Sequence, residues 1–260
     1  MRRTNPKDTK DAGVATAKAR LDVVLVDLGL APSRERARAL ILAGQVTIDG
    51  QVVSKAGAPV TSDARVELST PDHPYVGRGG LKLAGALDAF AVDPRGRRAL
   101  DVGASTGGFT DVLLQRGALS VIAIDVGRGQ LDWKLRTDPR VLVREGVNAR
   151  MLTNDDVPYA VSLVTIDVAF ISLRHILPAL PPFLDPGADV VALVKPQFEA
   201  GRDEVGKHGI VSDPVVHGAV IARVTEAAGA CGLTRIAMAP SAITGATGNQ
   251  EFFLHLRARS

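Results

Sequence analysis

The chain has 260 residues, 46% of them hydrophobic but only 4% aromatic, so its cores must be built from Ala, Val, Leu and Ile. Its formal net charge of +3 is compatible with a polyanionic partner without requiring one. A single cysteine, Cys231, excludes a disulfide framework and suits a reducing cytoplasm. No apolar run approaches the ~20 residues of a membrane-spanning helix, and the charged N-terminus lacks the apolar segment of a secretory signal.

Residues 1–19 are basic and almost free of large apolar side chains, so they are expected to stay disordered or to act as a basic arm on nucleic acid. A small α+β domain is expected over residues 20–70. Leu21, Val24, Leu25 and Leu28 follow helical spacing, and Gly29 ends that helix. Ser33 caps a second helix, residues 34–43, which Gly44 terminates. Arg34, Arg36 and Arg38 lie along it. A strand at Val46–Ile48, the turn Asp49-Gly50 and a strand at Val52-Val53 follow. A linker with two prolines is expected at 71–77, and a second domain over 78–260.

The second domain opens with Gly77-Arg-Gly-Gly-Leu-Lys82, leading into a helix that runs to about Phe90. Strands are predicted near 99–102, 120–125, 140–143, 162–167, 189–194, 234–239 and 251–257. Helices are predicted near 107–116, 173–180 and 215–230. Strand–helix alternation implies an α/β, Rossmann-like, doubly wound fold: a seven-stranded, mostly parallel sheet with helices on both faces. The last two strands are close in sequence, which suits one antiparallel edge strand.

Ala99-Leu-Asp-Val-Gly-Ala-Ser-Thr-Gly-Gly-Phe109 reads as a strand, a glycine-rich turn and a helix start. The spacing fits neither the dinucleotide fingerprint nor the P-loop. Asp101 would repel a pyrophosphate but suits a cationic ligand, and Asp125 ends the next strand, where an acid can accept hydrogen bonds from ribose hydroxyls. Together with Gly103, Ser105, Gly107, Gly108 and Phe109, this trio resembles an S-adenosyl-L-methionine site. Asn148, after the third strand, is a candidate adenine contact or a turn cap.

Val190-Val-Ala-Leu-Val-Lys-Pro-Gln-Phe-Glu199 is a buried strand that ends in Lys195. Of 31 basic residues only eight are lysines, so a lysine at a strand end carries information in this arginine-preferring chain. No His/Cys/Asp cluster has metal-ligand spacing, so no metal is expected. His208, His217 and His255 are read as structural or surface residues.

Three resemblances follow from these residues. Arg20-Leu-Asp, Gly29, Ser33-Arg34, Ala37, Ile41, Gly44 and Val46-x-Ile-Asp-Gly50 resemble the S-four-type RNA-binding domain. That likeness implies RNA contacts for Arg34, Arg36, Arg38, Lys55 and, beside the second domain, Arg78. The order Lys82, Asp167, Lys195, Glu251 resembles the FtsJ-type ribose 2′-O-methyltransferases. The motifs around Gly77, Thr165–Ser172, Leu193–Glu199, Gly206–Pro214, Pro240–Gly245 and Gly248–Phe253 are together similar to the TlyA family, often labelled hemolysins. Gly77 and Ala169 stand where serines are expected, and neither is one of the four charged positions.

The resemblance implies methylation of a cytidine ribose in ribosomal RNA, with ribosomal RNA or a ribosomal subunit as the partner. The short C-terminus leans towards the large subunit, with the small one also open. Lys195 is then the base or the orienter of the 2′-hydroxyl, a task closed to arginine, which does not deprotonate in proteins. A lysine can take that proton only if desolvation and a second cation lower its pKa. Asp167 would orient Lys195 or the hydroxyl, and Lys82 and Glu251 would fix the ribose and the lysines. Phe170 is either a base stacker or a core residue. The alternatives are a membrane-lytic hemolysin, or an RNA-binding protein that has lost catalysis.

Overall fold

The computed structural model describes residues 18–42, 44–68, 73–201 and 203–259; nearly all of the expected basic tail, residues 1–17, lies outside them. The chain divides into two compact units, residues 1–74 and 75–260.

In the smaller unit, β1 (Ala19–Arg20) leads directly into α1 (Leu21–Asp27), and α2 (Arg34–Leu42) follows. Gly29, at φ +69°, ends α1, and the Ser33 hydroxyl accepts from the Arg36 amide to cap α2. The three-residue β2 (Val46–Ile48) and β3 (Gln51–Val52) are joined by Asp49 and Gly50, both at positive φ, the two-residue turn whose twist matches a hairpin. Next come β4 (Pro59–Val60), which pairs with β1, and β5 (Val66–Leu68), which pairs with β2. Leu21, Leu25, Ala37, Ile41, Val46 and Val60 bury their side chains between these elements.

The larger unit begins with α3 (Gly79–Phe90) and β6 (Arg98–Val102), then α4 (Gly108–Gln115), β7 (Ser120–Asp125), α5 (Trp133–Arg136), β8 (Val141–Glu145) and β9 (Val161–Ile166). It continues through β10 (Leu184–Val194), α6 (Pro196–Glu199), α7 (Pro214–Ala230), β11 (Leu233–Pro240) and β12 (Phe252–Ala258). One seven-stranded sheet runs in the order β11-β12-β10-β9-β6-β7-β8.

The period of two along each strand divides the core into two layers. Leu100, Val102, Val190, Ala192 and Val194 face α7 residues Val220, Ile221 and Val224, while Ala99, Val191 and Leu193 face Leu83, Leu87 and Phe109 of α3 and α4. Strands β8, β7, β6, β9 and β10 are parallel.

Two sequence expectations are corrected. The antiparallel strand is not the edge: β12 lies inside the sheet, antiparallel to both neighbours, and β11 forms the edge. The expected helix at 173–180 is a series of 3-10 turns, Leu173–His175, Leu177–Ala179 and Pro181–Phe183. Its apolar spacing is real, since Leu173, Ile176, Leu177 and Leu180 are all buried, but Pro178, Pro181 and Pro182 cannot donate to a continuous helical ladder.

Strand pairing is reinforced midway along β10. The buried Asp189 accepts from Arg97 Nη1 at 2.8 Å, from Arg257 Nη2 at 2.9 Å, and lies 2.8 Å from His255 Nε2. Burial alone would raise its pKa; the His255, Arg97 and Arg257 contacts outweigh that and hold it well below the usual carboxylate range. Asp189→Ala strands these cations without a counter-charge and should cost about 3 kcal/mol of stability in urea unfolding.

Candidate active site

The sheet order turns at β6: the chain passes outwards to β7 on one side and later returns to β9 on the other. Ligands of open α/β sheets bind at the carboxyl ends of strands at such a point. Here β6 and β9 end almost in contact. Gly103 adopts φ +85°, and a Cβ there would overlap the carbonyl oxygen of Asp167. Only glycine allows this approach.

Asp101 lies beneath the glycine loop and is inaccessible. Its carboxylate accepts from Thr110 Oγ1 at 2.6 Å and Thr165 Oγ1 at 2.9 Å. Burial pushes its pKa up to about 6, opposed by the two threonine hydrogen bonds and assisted by the nearby charge of Asp167. It lines neither of the clefts described next. Its threonine partners lie on other elements and turn the carboxylate inwards.

Two clefts share the wall formed by Gly103, Ser105 and Asp167. The larger, about 530 Å³, is bounded by Asp125, Gln130, Asn148, Val168 and Phe170. Asp125 accepts from the Ser105 amide at 2.8 Å and the Gly127 amide at 2.7 Å, which fixes its carboxylate at the rim. Ser105 sits at φ +48°, a conformation few non-glycine residues adopt. The Asn148 side-chain oxygen accepts from the Arg150 amide at 3.1 Å, so the turn-cap reading of Asn148 is realised while the residue also lines the cleft.

The smaller cleft, about 320 Å³, is bounded by Arg78, Lys82, Gly108 and the buried Phe109. Gly107, at φ +99°, precedes α4 and packs where a Cβ would overlap Leu135.

The four charged residues form two ion pairs. Lys82 Nζ is 2.5 Å from Glu251 Oε2, and Lys195 Nζ is 2.6 Å from Asp167 Oδ1. All four side chains are largely buried. Pro196 takes the first position of α6, where its missing N–H is no loss, so the strand stops at Lys195 and a helical turn begins at once. Lys195 is thus held at the strand end by its own backbone and by Asp167.

Two residues not singled out as site residues from sequence brace this arrangement. Glu199, five per cent exposed, accepts from Ser172 Oγ at 2.5 Å and the Leu173 amide at 2.6 Å. It joins the segment after Asp167 to the segment after Lys195, and burial raises its pKa. Asn249, fully buried, accepts from the Val211 amide and donates to the Gly209 carbonyl, both at 2.9 Å, fastening residues 209–211 beside Glu251. Only an acid inside an apolar turn and an asparagine in a glycine loop marked them in the sequence.

Phe170 is 90% exposed at φ +63° and rests on Phe198, ring centres 5.1 Å apart, so the core reading of this residue is overturned. In the smaller unit, Arg34 and Arg38 bind Asp22, Arg36 donates to the His73 carbonyl, and Lys55 is exposed. Arg78 is exposed and lines the smaller cleft.

Known proteins match both units. Residues 75–258 match the FtsJ-like methyltransferase model and residues 19–66 the S4 domain. The 16S/23S rRNA (cytidine-2′-O)-methyltransferase TlyA of Mycobacterium tuberculosis is 47% identical over 94% of this chain and 91% of its own. The chain belongs to the TlyA family of FtsJ-like methyltransferases.

Other likenesses to this TlyA-family chain agree. A solved structure of a hemolysin-named protein from Streptococcus thermophilus is 43% identical, with a TM-score of 0.74, covering 95% of this chain and 90% of that one. An S-adenosylmethionine-dependent methyltransferase from Mesorhizobium loti, 14% identical over 70% of this chain and 100% of that one, shares the fold alone at a TM-score of 0.51. Among the described residues, no helix is long and apolar enough to cross a membrane, and no cluster of His, Cys, Asp and Glu could hold a metal ion.

Asp101 generates a pH prediction. In the folded chain it keeps its proton up to about pH 6, whereas unfolded it loses it near pH 4. The folded state therefore binds more protons in that window, and ionising Asp101 destabilises the fold as pH rises. Asp101→Asn, which cannot ionise, should gain on wild type through the window, by about 3 kcal/mol at neutral pH. Urea unfolding of both proteins across the window measures this; a pH-independent difference would contradict it.

Proposed function

We propose that this chain is a cytoplasmic enzyme that transfers the methyl group of S-adenosylmethionine to the ribose 2′-oxygen of a cytidine in ribosomal RNA. The observation that carries the reading is the pair of buried lysine–carboxylate contacts, Lys82–Glu251 and Lys195–Asp167, beside a cleft walled by the glycine loop. The name of the Mycobacterium tuberculosis relative supports the cytidine 2′-oxygen as acceptor, and both ribosomal subunits are candidate substrates.

The larger cleft fits the cofactor. Its volume suits a nucleoside-sized ligand. Gly103 and Ser105 would pass close to the ligand as backbone, and Asp125 has acceptor capacity beyond its two amide bonds for ribose hydroxyls. Asn148 and Val168 would flank the base. Asp101 would act from below, by setting the loop and contributing negative potential, and not by contact. When bound, S-adenosylmethionine supplies an electrophilic methyl group on a sulfonium centre.

The protein's own task is to present one weakly acidic hydroxyl in line with that methyl. Asp167 lines both clefts and lies 2.6 Å from Lys195, which supports this pair as the one that would meet the acceptor oxygen. Lys195 would orient the 2′-hydroxyl and take or share its proton as the methyl moves, with Asp167 fixing the ammonium. Lys82, fixed by Glu251, would hold the ribose from the α3 side. Positioning of this kind supplies most of the rate in a simple displacement. Phe170, exposed and backed by Phe198, would stack on the target base once it is turned out of its helix. Arg34, Arg36, Arg38, Lys55 and Arg78 would contact RNA phosphates.

The test uses purified protein, methyl-labelled S-adenosylmethionine and ribosomal subunits from a strain without the gene. Wild type should label ribosomal RNA; Lys195→Ala should lower the single-turnover rate by at least about a hundredfold, the scale of proton-transfer catalysis. Cofactor affinity, measured by calorimetry, should stay close to wild type. Wild-type turnover in Lys195→Ala would remove that residue from the chemistry, and absence of cofactor binding by wild type would overturn the reading.

A further inference from the structure

Asp22 lies in the first turn of α1, and none of its surface is accessible. Three guanidinium groups converge on its carboxylate. Arg20 donates through Nε to Oδ1 at 2.9 Å and through Nη2 to Oδ2 at 3.2 Å. Arg34 donates through Nη2 and Arg38 through Nε, both to Oδ2, at 3.2 and 3.1 Å. The arginines come from separate places, Arg20 from the end of β1 and Arg34 and Arg38 from one side of α2, a turn apart. These contacts hold the Asp22 carboxyl well below the usual carboxylate range, the Arg20 hydrogen bond first among them.

The cluster does more than neutralise one acid. Three cations against one anion leave a surplus of two positive charges, and each arginine side chain remains about half exposed (53, 54 and 53%). Every guanidinium has five N–H donors in a rigid fork, and Asp22 occupies only one or two on each. The rest remain for another planar acceptor. Arginine forks match phosphate oxygens in this way, which a lysine point charge does not.

Composition narrows the ligand further. Residues 1–74 contain no Phe, Tyr or Trp. Its one aromatic ring, the His73 imidazole, is buried, so this unit offers no exposed ring on which unpaired bases could stack, the usual means of holding single-stranded nucleic acid. What it can read is the phosphate backbone of a folded, helical RNA.

We propose that Asp22 is a positioning residue that prearranges Arg20, Arg34 and Arg38 as a binding surface for the phosphodiester backbone of helical RNA; this rests on the ribosomal RNA reading above. The carboxylate holds the side chains in place before RNA arrives, so less rotamer freedom is lost on binding.

The sign of one substitution separates this from simple charge attraction. Asp22→Asn makes the unit one charge more positive, so attraction alone predicts tighter RNA binding, most clearly at low salt. Positioning predicts the reverse: affinity of the full chain for a ribosomal RNA hairpin should fall about tenfold, because three loosened side chains must be ordered on binding. Arg20→Lys keeps the charge but loses the fork on Asp22, and should also weaken binding. It decides the matter if circular dichroism shows that Asp22→Asn does not fold. Arg34→Ala reports on the surface itself. If Arg34→Ala loses affinity while Asp22→Asn and Arg20→Lys match or exceed wild type, the RNA surface stands and the role of Asp22 is overturned. If none of the three lowers affinity, or wild type does not bind the hairpin, the RNA reading of this unit fails with it.

Discussion

The site depends on how closely two strands can end beside each other. At Gly103 the chain passes the carbonyl of Asp167 with no room for a single methyl group. That approach sets the wall shared by the two clefts, and it places Asp167 where one carboxylate faces both. A side chain at this position would push β6 and β9 apart and separate the glycine loop from the Lys195–Asp167 pair. The positive φ and the missing Cβ serve the same geometry, so no residue with a side chain meets both demands.

Around that contact the chain repeatedly spends charge on holding geometry. Asp22 gathers three arginines, Asp189 gathers two and a histidine, and Lys82 and Lys195 are each tied to a carboxylate of their own. Buried pairs of this kind add little net stability over apolar packing, but removing one partner is costly, so they specify one arrangement over its neighbours. In a transfer whose electrophile comes from a bound molecule, placement is what the protein can contribute. The sequence expectation gave Asp167 and Glu251 the task of orienting the two lysines; the structure gives each lysine an acid at 2.5 and 2.6 Å.

Much of this was legible before any coordinates. All seven predicted strands overlap observed ones, most of them runs rich in Val, Ile and Leu, although β10 begins five residues earlier than expected, at Leu184. Asp49-Gly50 specified its turn, and Lys195-Pro196 announced a strand end. What was not legible depends on distant partners. The inward turn of the Asp101 carboxylate depends on Thr165, 64 residues away, which no local pattern announces. The direction of β12 could not be read from its spacing after β11, because its other partner, β10, comes from far earlier in the chain. The apolar rhythm of 173–180 reports burial, which 3-10 turns satisfy as well as a helix does. Glu199 and Asn249 carried no local signal strong enough to separate a brace from a solvated polar residue.

The central claim is that this geometry delivers a methyl group to a ribose oxygen and not to a base. Mass spectrometry of nucleosides from ribosomal RNA, treated with the enzyme and methyl-labelled S-adenosylmethionine, tests it most directly. The account predicts label in 2′-O-methylcytidine and none in base-methylated nucleosides. Label on a base ring would contradict it.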